Sequence, residues 1–381
     1  MVGDSGGCSI ERWFIRLNAL YILTMQTSLP GKDAELYTRL PNARIKCTAC
    51  ARLCEIPEGK VGLCGVRGVV NDKLRLFVYG RVIAGQIDPI EKKPVTHYRP
   101  GTDIFSISTT GCNWLCQYCQ NYDISQRRKV EGTETTPEQV VESAAYCGAH
   151  GIAYTYNEPS IFIEFARDCG IEAHKRGIFN IFVSNGYDTP ESVNMMGQFL
   201  DCITVDFKGS GKQEFVRRYI GIPSADPIFQ TLKEIRDKTK IHVEITDLIV
   251  PQVGDDLEAA RKLCRFVHDE LGPDTPIHFL RFHPDYKMMQ FDNTPIETLE
   301  KHYEVAKQEG LTYAYLGNVP GHPLEDTYCP ECKSVVIGRY GFSIDIWNLD
   351  ANNCCKNCGH QIPIIGKVHK VRKKNPFQFI H

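Results

Sequence analysis

The sequence predicts an α/β protein: a partial or complete TIM-like (β/α) barrel with small cysteine-rich metal-binding segments at both ends. Three observations lead there. Between residues 104 and 317, short apolar, β-branched runs alternate with longer amphipathic stretches. Helix-start signatures stand between those runs. The 17 cysteines gather largely in tight groups at 47–64, 112–119 and 329–358.

The strands are expected at 104–109, 151–156, 178–184, 202–207, 242–250, 277–282 and 312–317. Each is a nearly continuous apolar run rather than a strict alternation, as strands covered on both faces require. The connecting helices announce their starts. Thr136-Pro137, Thr189-Pro190 and Thr294-Pro295 each put Thr at the N-cap and Pro at the first helical position. Gln139 and Glu297 add a capping box to the first and third. Val140, Val141, Ala144 and Ala145 form the apolar stripe of the first helix. Strand–helix repeats close right-handed. Periodicity leaves a doubly wound open sheet as the alternative.

Five segments follow. Residues 1–40 read as a leader, disordered or an over-extended start, with Met25 as a candidate true start. Residues 41–100 are cysteine-rich, 101–320 form the barrel, 321–366 form a separable ribbon-like segment, and 367–381 are a basic tail. Hydrophobic content of 42% and charged content of 24% are ordinary for a globular chain. A net charge of −2 supplies no field for nucleic acid or a membrane surface. No run reaches the roughly 18 uncharged apolar residues that span a bilayer. Clustered C-x2-C pairs read as metal ligands, which places the chain in a reducing compartment, the cytoplasm.

Polar, Gly- and Pro-rich groups follow six of the seven strands: CNWLCQYC, NEP, NG, KG, PQVGDD and HPD. In parallel α/β folds active sites lie at that edge. Cys112, Cys116 and Cys119 therefore share a rim with Asn157, Glu158, Asn185, Asp206, Lys208 and His283. Three cysteines without a near fourth suit a four-iron cluster with one iron left open. Asp206 and Lys208, two apart on a strand, face one side.

DPIEKKPVTHYRPGT (88–102) and TTGCNWLCQYCQNYDIS (109–125) resemble radical SAM enzymes of the pyruvate formate-lyase-activating-enzyme type. More narrowly they resemble the radical SAM member of the AmmeMemoRadiSam system, found beside AMMECR1-like and Memo-like proteins. The resemblance runs from about Cys47 to Gly366. It implies a radical SAM barrel with a [4Fe–4S] cluster on Cys112, Cys116 and Cys119, whose open iron binds S-adenosylmethionine (SAM). It implies Tyr118 near adenine, and Asn157 and Glu158 near the methionine amino group. The usual glycines of that element are missing. Ser184 and Asn185 are implied near ribose and methionine, Asp206 and Lys208 near ribose hydroxyls and the methionine carboxylate. Val250 is implied in the adenine platform and His283 near sugar or substrate. The implied activity is reductive SAM cleavage to a 5′-deoxyadenosyl radical that abstracts hydrogen from a substrate, fed by a flavodoxin- or ferredoxin-like electron donor. Activation of a glycyl-radical enzyme is the alternative within the class. A multi-zinc binding module without catalysis is the alternative outside it.

Two further metal sites are legible. Cys329, Cys332, Cys355 and Cys358 form two knuckles of a zinc-ribbon-like structural site, for which rubredoxin-like iron would use the same ligands. Cys47, Cys50, Cys54 and Cys64 suit either zinc or an auxiliary iron–sulfur cluster.

Overall fold

The protein is described by a computed structural model covering residues 31–369 and 371. Its centre is one eight-stranded sheet. The strands are β1 (Ala84–Pro89), β2 (Asp103–Ser108), β3 (Gly151–Tyr154), β4 (Phe179–Ser184), β5 (Cys202–Lys208), β6 (His242–Ile249), β7 (Ile277–Arg281) and β8 (Ala314–Gly317). Their spatial order is β8-β7-β6-β5-β4-β3-β2-β1. All seven expected strands are present, with ends shifted by up to two residues. Neighbours from β2 to β8 are parallel. The order never reverses, which excludes a doubly wound sheet, whose defining feature is a switch point. β1 and β8 do not pair with each other, so the barrel is partial.

β1 was not expected. It runs antiparallel to β2 through six pairs, and its sequence, AGQIDP, lacks the apolar run that marks the others. The central sheet therefore begins at residue 84, inside the segment assigned to the cysteine-rich end.

The helices are α1 (Pro137–Tyr146), α2 (Ile163–Lys175), α3 (Pro190–Met196), α4 (Asp226–Lys238), α5 (Leu257–Phe266) and α6 (Ile296–Gln308). Thr136 caps α1 in a box with Gln139, and Thr189 caps α3 in a box with Ser192. The expectation for Thr294 is corrected. α6 starts after Pro295 without a side-chain cap. The buried Thr294 hydroxyl instead donates to the Ile249 carbonyl at 2.6 Å and accepts from the Phe282 amide at 3.0 Å. Tertiary bonding between strand ends outweighs the local cap.

The N-terminal segment forms two small antiparallel sheets. One contains Lys32–Asp33, Lys73–Leu76 and Arg67–Val70; the other contains Tyr37–Arg39, Ile45–Cys47 and Glu55–Ile56. Residues 31–40, expected within the leader, thus belong to folded structure: main-chain pairing holds them, and Arg75 donates to Asp33 at 2.9 Å. Residues 1–30 of the leader, with Met25, and 370 and 372–381 of the basic tail lie outside the described residues. Ile45, Val66 and Leu74 share one core with Ile161, Phe162 and Phe165 of the barrel. Buried Arg67 donates to the Ile161 carbonyl at 2.8 Å and pairs with buried Glu164.

The C-terminal ribbon contains β9 (Thr327–Tyr328), β10 (Val335–Tyr340) and β11 (Ser343–Trp347), all antiparallel. It packs against the barrel. Its small core of Val336, Ile337, Ile344 and Ile362 is completed by Tyr313 and Tyr315, at the β8 edge of the barrel. Among the described residues no helix is long and apolar enough to cross a membrane.

Candidate active site

The cysteine loop leaves the C-terminal end of β2 and is pinned from several sides. The Leu115 and Gln117 amides donate to the Ile220 and Tyr219 carbonyls at 3.0 and 2.9 Å. The Gln117 carbonyl accepts from the Lys287 amide at 2.8 Å. Asn157, in the loop after β3, donates through Nδ2 to the carbonyls of Thr109 (2.7 Å) and Gly111 (2.9 Å). It thereby fixes the backbone just ahead of Cys112.

Cys112, Cys116 and Cys119 line a cavity of about 510 Å³ at the C-terminal rim of the barrel. Tyr118, Asn157, Glu158, Asn185, Asp206, Lys208 and His283 line the same cavity. Seven of the nine expected cofactor contacts are thus brought together. Ser184 stands behind the wall, donating to Glu158 Oε1 at 2.8 Å. Val250 stands apart from the cavity, its amide donating to the Gly254 carbonyl at 3.2 Å.

The roles differ from residue to residue. Asp206 and Lys208 form an ion pair at 2.8 Å, and Thr246 donates to the other Asp206 oxygen. Both remain partly accessible at the cavity wall. Glu158 is buried, and its carboxylate accepts from the Asn185 amide at 2.8 Å, the Ser160 amide at 3.1 Å and the Ser184 hydroxyl. It braces the loops after β3 and β4. Burial raises its pKa despite those donors. Tyr118 stacks on Phe215 with ring centroids 5.9 Å apart.

One group escaped the sequence reading. Asp88, at the end of β1, accepts from Lys92 (2.7 Å), Lys93 (2.8 Å) and the Tyr156 hydroxyl (2.6 Å). Lys92, Lys93 and Tyr156 line the cavity. Burial opposes ionisation of Asp88, but the two ammonium groups hold its pKa well below the usual range. Burial pulls Lys93 down to about 8. Tyr156 sits in the left-handed region at φ 68°, a costly conformation for a bulky residue. The signal was present as an Asp followed by paired lysines in DPIEKK. It was unreadable as a site while β1 was unrecognised.

The residues fit the implied cofactors. Three thiols face one cavity with no fourth protein ligand among them, as a cluster with an open iron needs. Burial raises the pKa of all three, Cys116 to about 12, so the free thiols hold their protons until a metal displaces them. Trp114 and Asn157 line the cavity, and the indole N–H of the first and Oδ1 of the second are buried without a protein partner. Such atoms call for a polar ligand.

The radical SAM superfamily model matches residues 106–267. Over 337 residues the chain is 41% identical to the uncharacterised protein MJ0808 of Methanocaldococcus jannaschii, covering 88% of this chain and 99% of that protein. Among solved structures it is similar to a domain of pyruvate-formate lyase-activating enzyme from Bacteroides vulgatus. That match has 15% identity and TM-score 0.39, over 45% of this chain and 100% of that one. It is also similar to a radical SAM methyltransferase from Sphaerobacter thermophilus, at 11% identity and TM-score 0.49, over 80% of each chain. With its three cysteines on the rim of a partial barrel and a match spanning the strands that carry them, the chain belongs to the radical SAM superfamily.

Proposed function

We propose that this chain is an enzyme that cleaves SAM reductively and uses the product radical on a small-molecule substrate held in the 510 Å³ cavity. The observation that carries this reading is the convergence of Cys112, Cys116 and Cys119 with Asn185, Asp206 and Lys208 on that cavity. When bound, the cluster and SAM supply a 5′-deoxyadenosyl radical that abstracts hydrogen. The chain's own part is to bind, orient and exclude water. The three cysteines leave one iron open. The Asp206–Lys208 pair presents an acceptor for hydroxyls and a cation for a carboxylate, opposite in charge and 2.8 Å apart. Asn157 holds the cysteine loop to the third strand and offers its free Oδ1 to an ammonium group.

A small substrate is favoured over a protein loop by the C-terminal ribbon. It packs on Tyr313 and Tyr315 at the β8 edge, and its hairpin-tip Phe342 lines the cavity, taking up space at the rim that an entering protein loop would need. Zinc in the ribbon, the cytoplasmic setting, the AmmeMemoRadiSam subtype and its AMMECR1-like and Memo-like partners belong to the same proposal. The motif strings support the subtype.

The test is anaerobic reconstitution with iron and sulfide, followed by measurement of 5′-deoxyadenosine and methionine from SAM under a strong reductant. The parent protein is expected to form both, and Cys116→Ala neither. Equal product from the two proteins sinks the assignment.

A further inference from the structure

The chain carries three groups of cysteines, and their sulfur spacings sort them into two kinds. In the ribbon, Cys329 and Cys358 place their sulfurs 3.5 Å apart, and Cys332 and Cys355 3.7 Å apart. All four lie within 4.8 Å of one another. A tetrahedral zinc site with Zn–S near 2.3 Å puts its sulfurs about 3.8 Å apart. The ribbon is therefore already arranged around a single ion. Among the described residues no other set of three or more His, Cys, Asp or Glu reaches that mutual closeness. Cys112, Cys116 and Cys119 do not, as expected where each thiolate binds a different iron of a cube. Cys47, Cys50, Cys54 and Cys64 do not either. Yet all four line one pocket, together with Arg67 and Asn113. Like the cluster-binding triad, and unlike the ribbon, they are not drawn together around a single ion.

We propose that Cys47, Cys50, Cys54 and Cys64 hold a second [4Fe–4S] cluster that passes electrons to the first. Four cysteines occupy all four irons, which leaves no open position for a substrate. A closed cluster either stabilises the fold or transfers electrons, and we assign the second role here. Its position suits that role. Asn113, next to Cys112, lines the same pocket. Arg52, between Cys50 and Cys54, donates through Nε to the Asn113 carbonyl at 2.8 Å. The Cys64 carbonyl lies against Gly111, where a Cβ would meet it at 2.4 Å. Gly111 also has φ 91°, so glycine is required twice over. The two sites are thus joined through backbone contact and one hydrogen bond. Arg67, held by its ion pair with Glu164, also lines this pocket.

The step balances as one electron. A one-electron protein donor of the flavodoxin or ferredoxin type is oxidised by one electron, and the second cluster is reduced by it. That electron then moves to the catalytic cluster, returning the second cluster to its oxidised state. The relay rests on the radical SAM reading above, whereas the iron content of the site does not.

The experiment therefore has two arms on the full chain. In the first, the triple variant Cys112→Ala, Cys116→Ala, Cys119→Ala is reconstituted anaerobically and assayed for iron, sulfide, zinc and its Mössbauer spectrum. The variant leaves the N-terminal site untouched. About four irons in a [4Fe–4S] spectrum are expected. Zinc in their place, or no iron, overturns the proposal whatever the fate of SAM cleavage. In the second arm, Cys47→Ser with Cys54→Ser is compared with the parent in the ratio of flavodoxin-driven to dithionite-driven SAM cleavage. A fall of about tenfold or more in that ratio is expected, because a small reductant can reach the catalytic cluster directly. An unchanged ratio overturns the relay. Should this double variant fail to fold, the conservative Arg52→Lys is measured for the same ratio, with the same two outcomes.

Discussion

Arg339, on β10 of the C-terminal ribbon, donates through Nη2 to the carbonyl of Thr96 at 3.3 Å, forming a seam between the ribbon and the connection from β1 to β2. Its Nη1 donates to the Thr327 hydroxyl at 2.8 Å and the Glu325 carbonyl at 3.1 Å. The same seam is closed on the barrel side by Glu244, which accepts from the amides of Thr96 and His97 and from the His278 ring at 2.8 Å. The His97 ring in turn meets the Tyr315 hydroxyl at 2.7 Å, and the Ile365 and Arg99 backbones pair with this stretch. The appended metal-binding segment is thus tied to the barrel by a network of polar contacts through the connection between its first two strands.

Arg339→Met is accordingly expected to destabilise the whole chain rather than the ribbon alone. Three buried acceptors lose a charged donor, which costs about 1–3 kcal/mol. Urea unfolding followed both by barrel fluorescence and by the thiol reactivity of the four ribbon cysteines should show one transition moving to lower urea. A shift in ribbon thiol reactivity with an unmoved barrel transition would show that the seam carries no load.

Asp206 and Lys208 line the same cavity as the three cysteines and are paired with each other at 2.8 Å. Asp206→Asn and Lys208→Met are each expected to weaken SAM binding about tenfold or more, or about 1.4 kcal/mol, with iron content unchanged. Equilibrium dialysis of SAM against reconstituted protein reads the first quantity, and metal analysis the second. Tight SAM binding in both variants would place the ligand elsewhere on the rim.

What was legible in the sequence follows from how each element is stabilised. The seven parallel strands are buried on both faces and wrote themselves as apolar runs, and Thr136 and Thr189 are local caps that local sequence reports. β1 is an edge strand whose Asp88 and Gln86 serve a polar cluster, so its composition shows no strand. Thr294 looks like a cap in sequence and is claimed by Ile249 and Phe282 in space. The rim residues were legible because strand ends and cysteine spacing are local. The Asp88–Lys92–Lys93–Tyr156 group and the Arg339 seam join distant segments, and no local pattern announces them.

Arg67 and Glu164 bolt the N-terminal segment to α2 as a fully buried ion pair. Arg67→Met strands an unpaired carboxylate in the core, at about 3–5 kcal/mol. The double variant Arg67→Met, Glu164→Leu removes both charges and is expected to recover most of that loss. Chemical denaturation of the parent, single and double variants measures the cycle. A double variant no more stable than the single would show that the pair's packing, not its charge, holds the segment.

Glu91 gives the seam a pH dependence. Its carboxylate is buried just after β1, and burial pushes its pKa up from 4.5 to about 7, against the opposing effects of the Gly101 amide, 2.7 Å away, and the Arg339 charge. The folded chain therefore holds this proton more tightly than the unfolded chain does. Between pH 4.5 and about 7 the folded state carries more bound protons, so the contribution of Glu91 to stability falls as pH rises through that window. It is fully present below pH 4.5 and fully lost above about 7. The span corresponds to about 3 kcal/mol as an upper bound. Glu91→Gln keeps an acceptor for Gly101 and cannot ionise. Its stability relative to the parent should rise from pH 5 to pH 8, as read from paired urea midpoints at the two values. Comparing variant with parent cancels every other titrating group. A difference that stays constant across that interval would mean that Glu91 is already ionised in the folded protein, and that the Gly101 amide and Arg339 outweigh its burial.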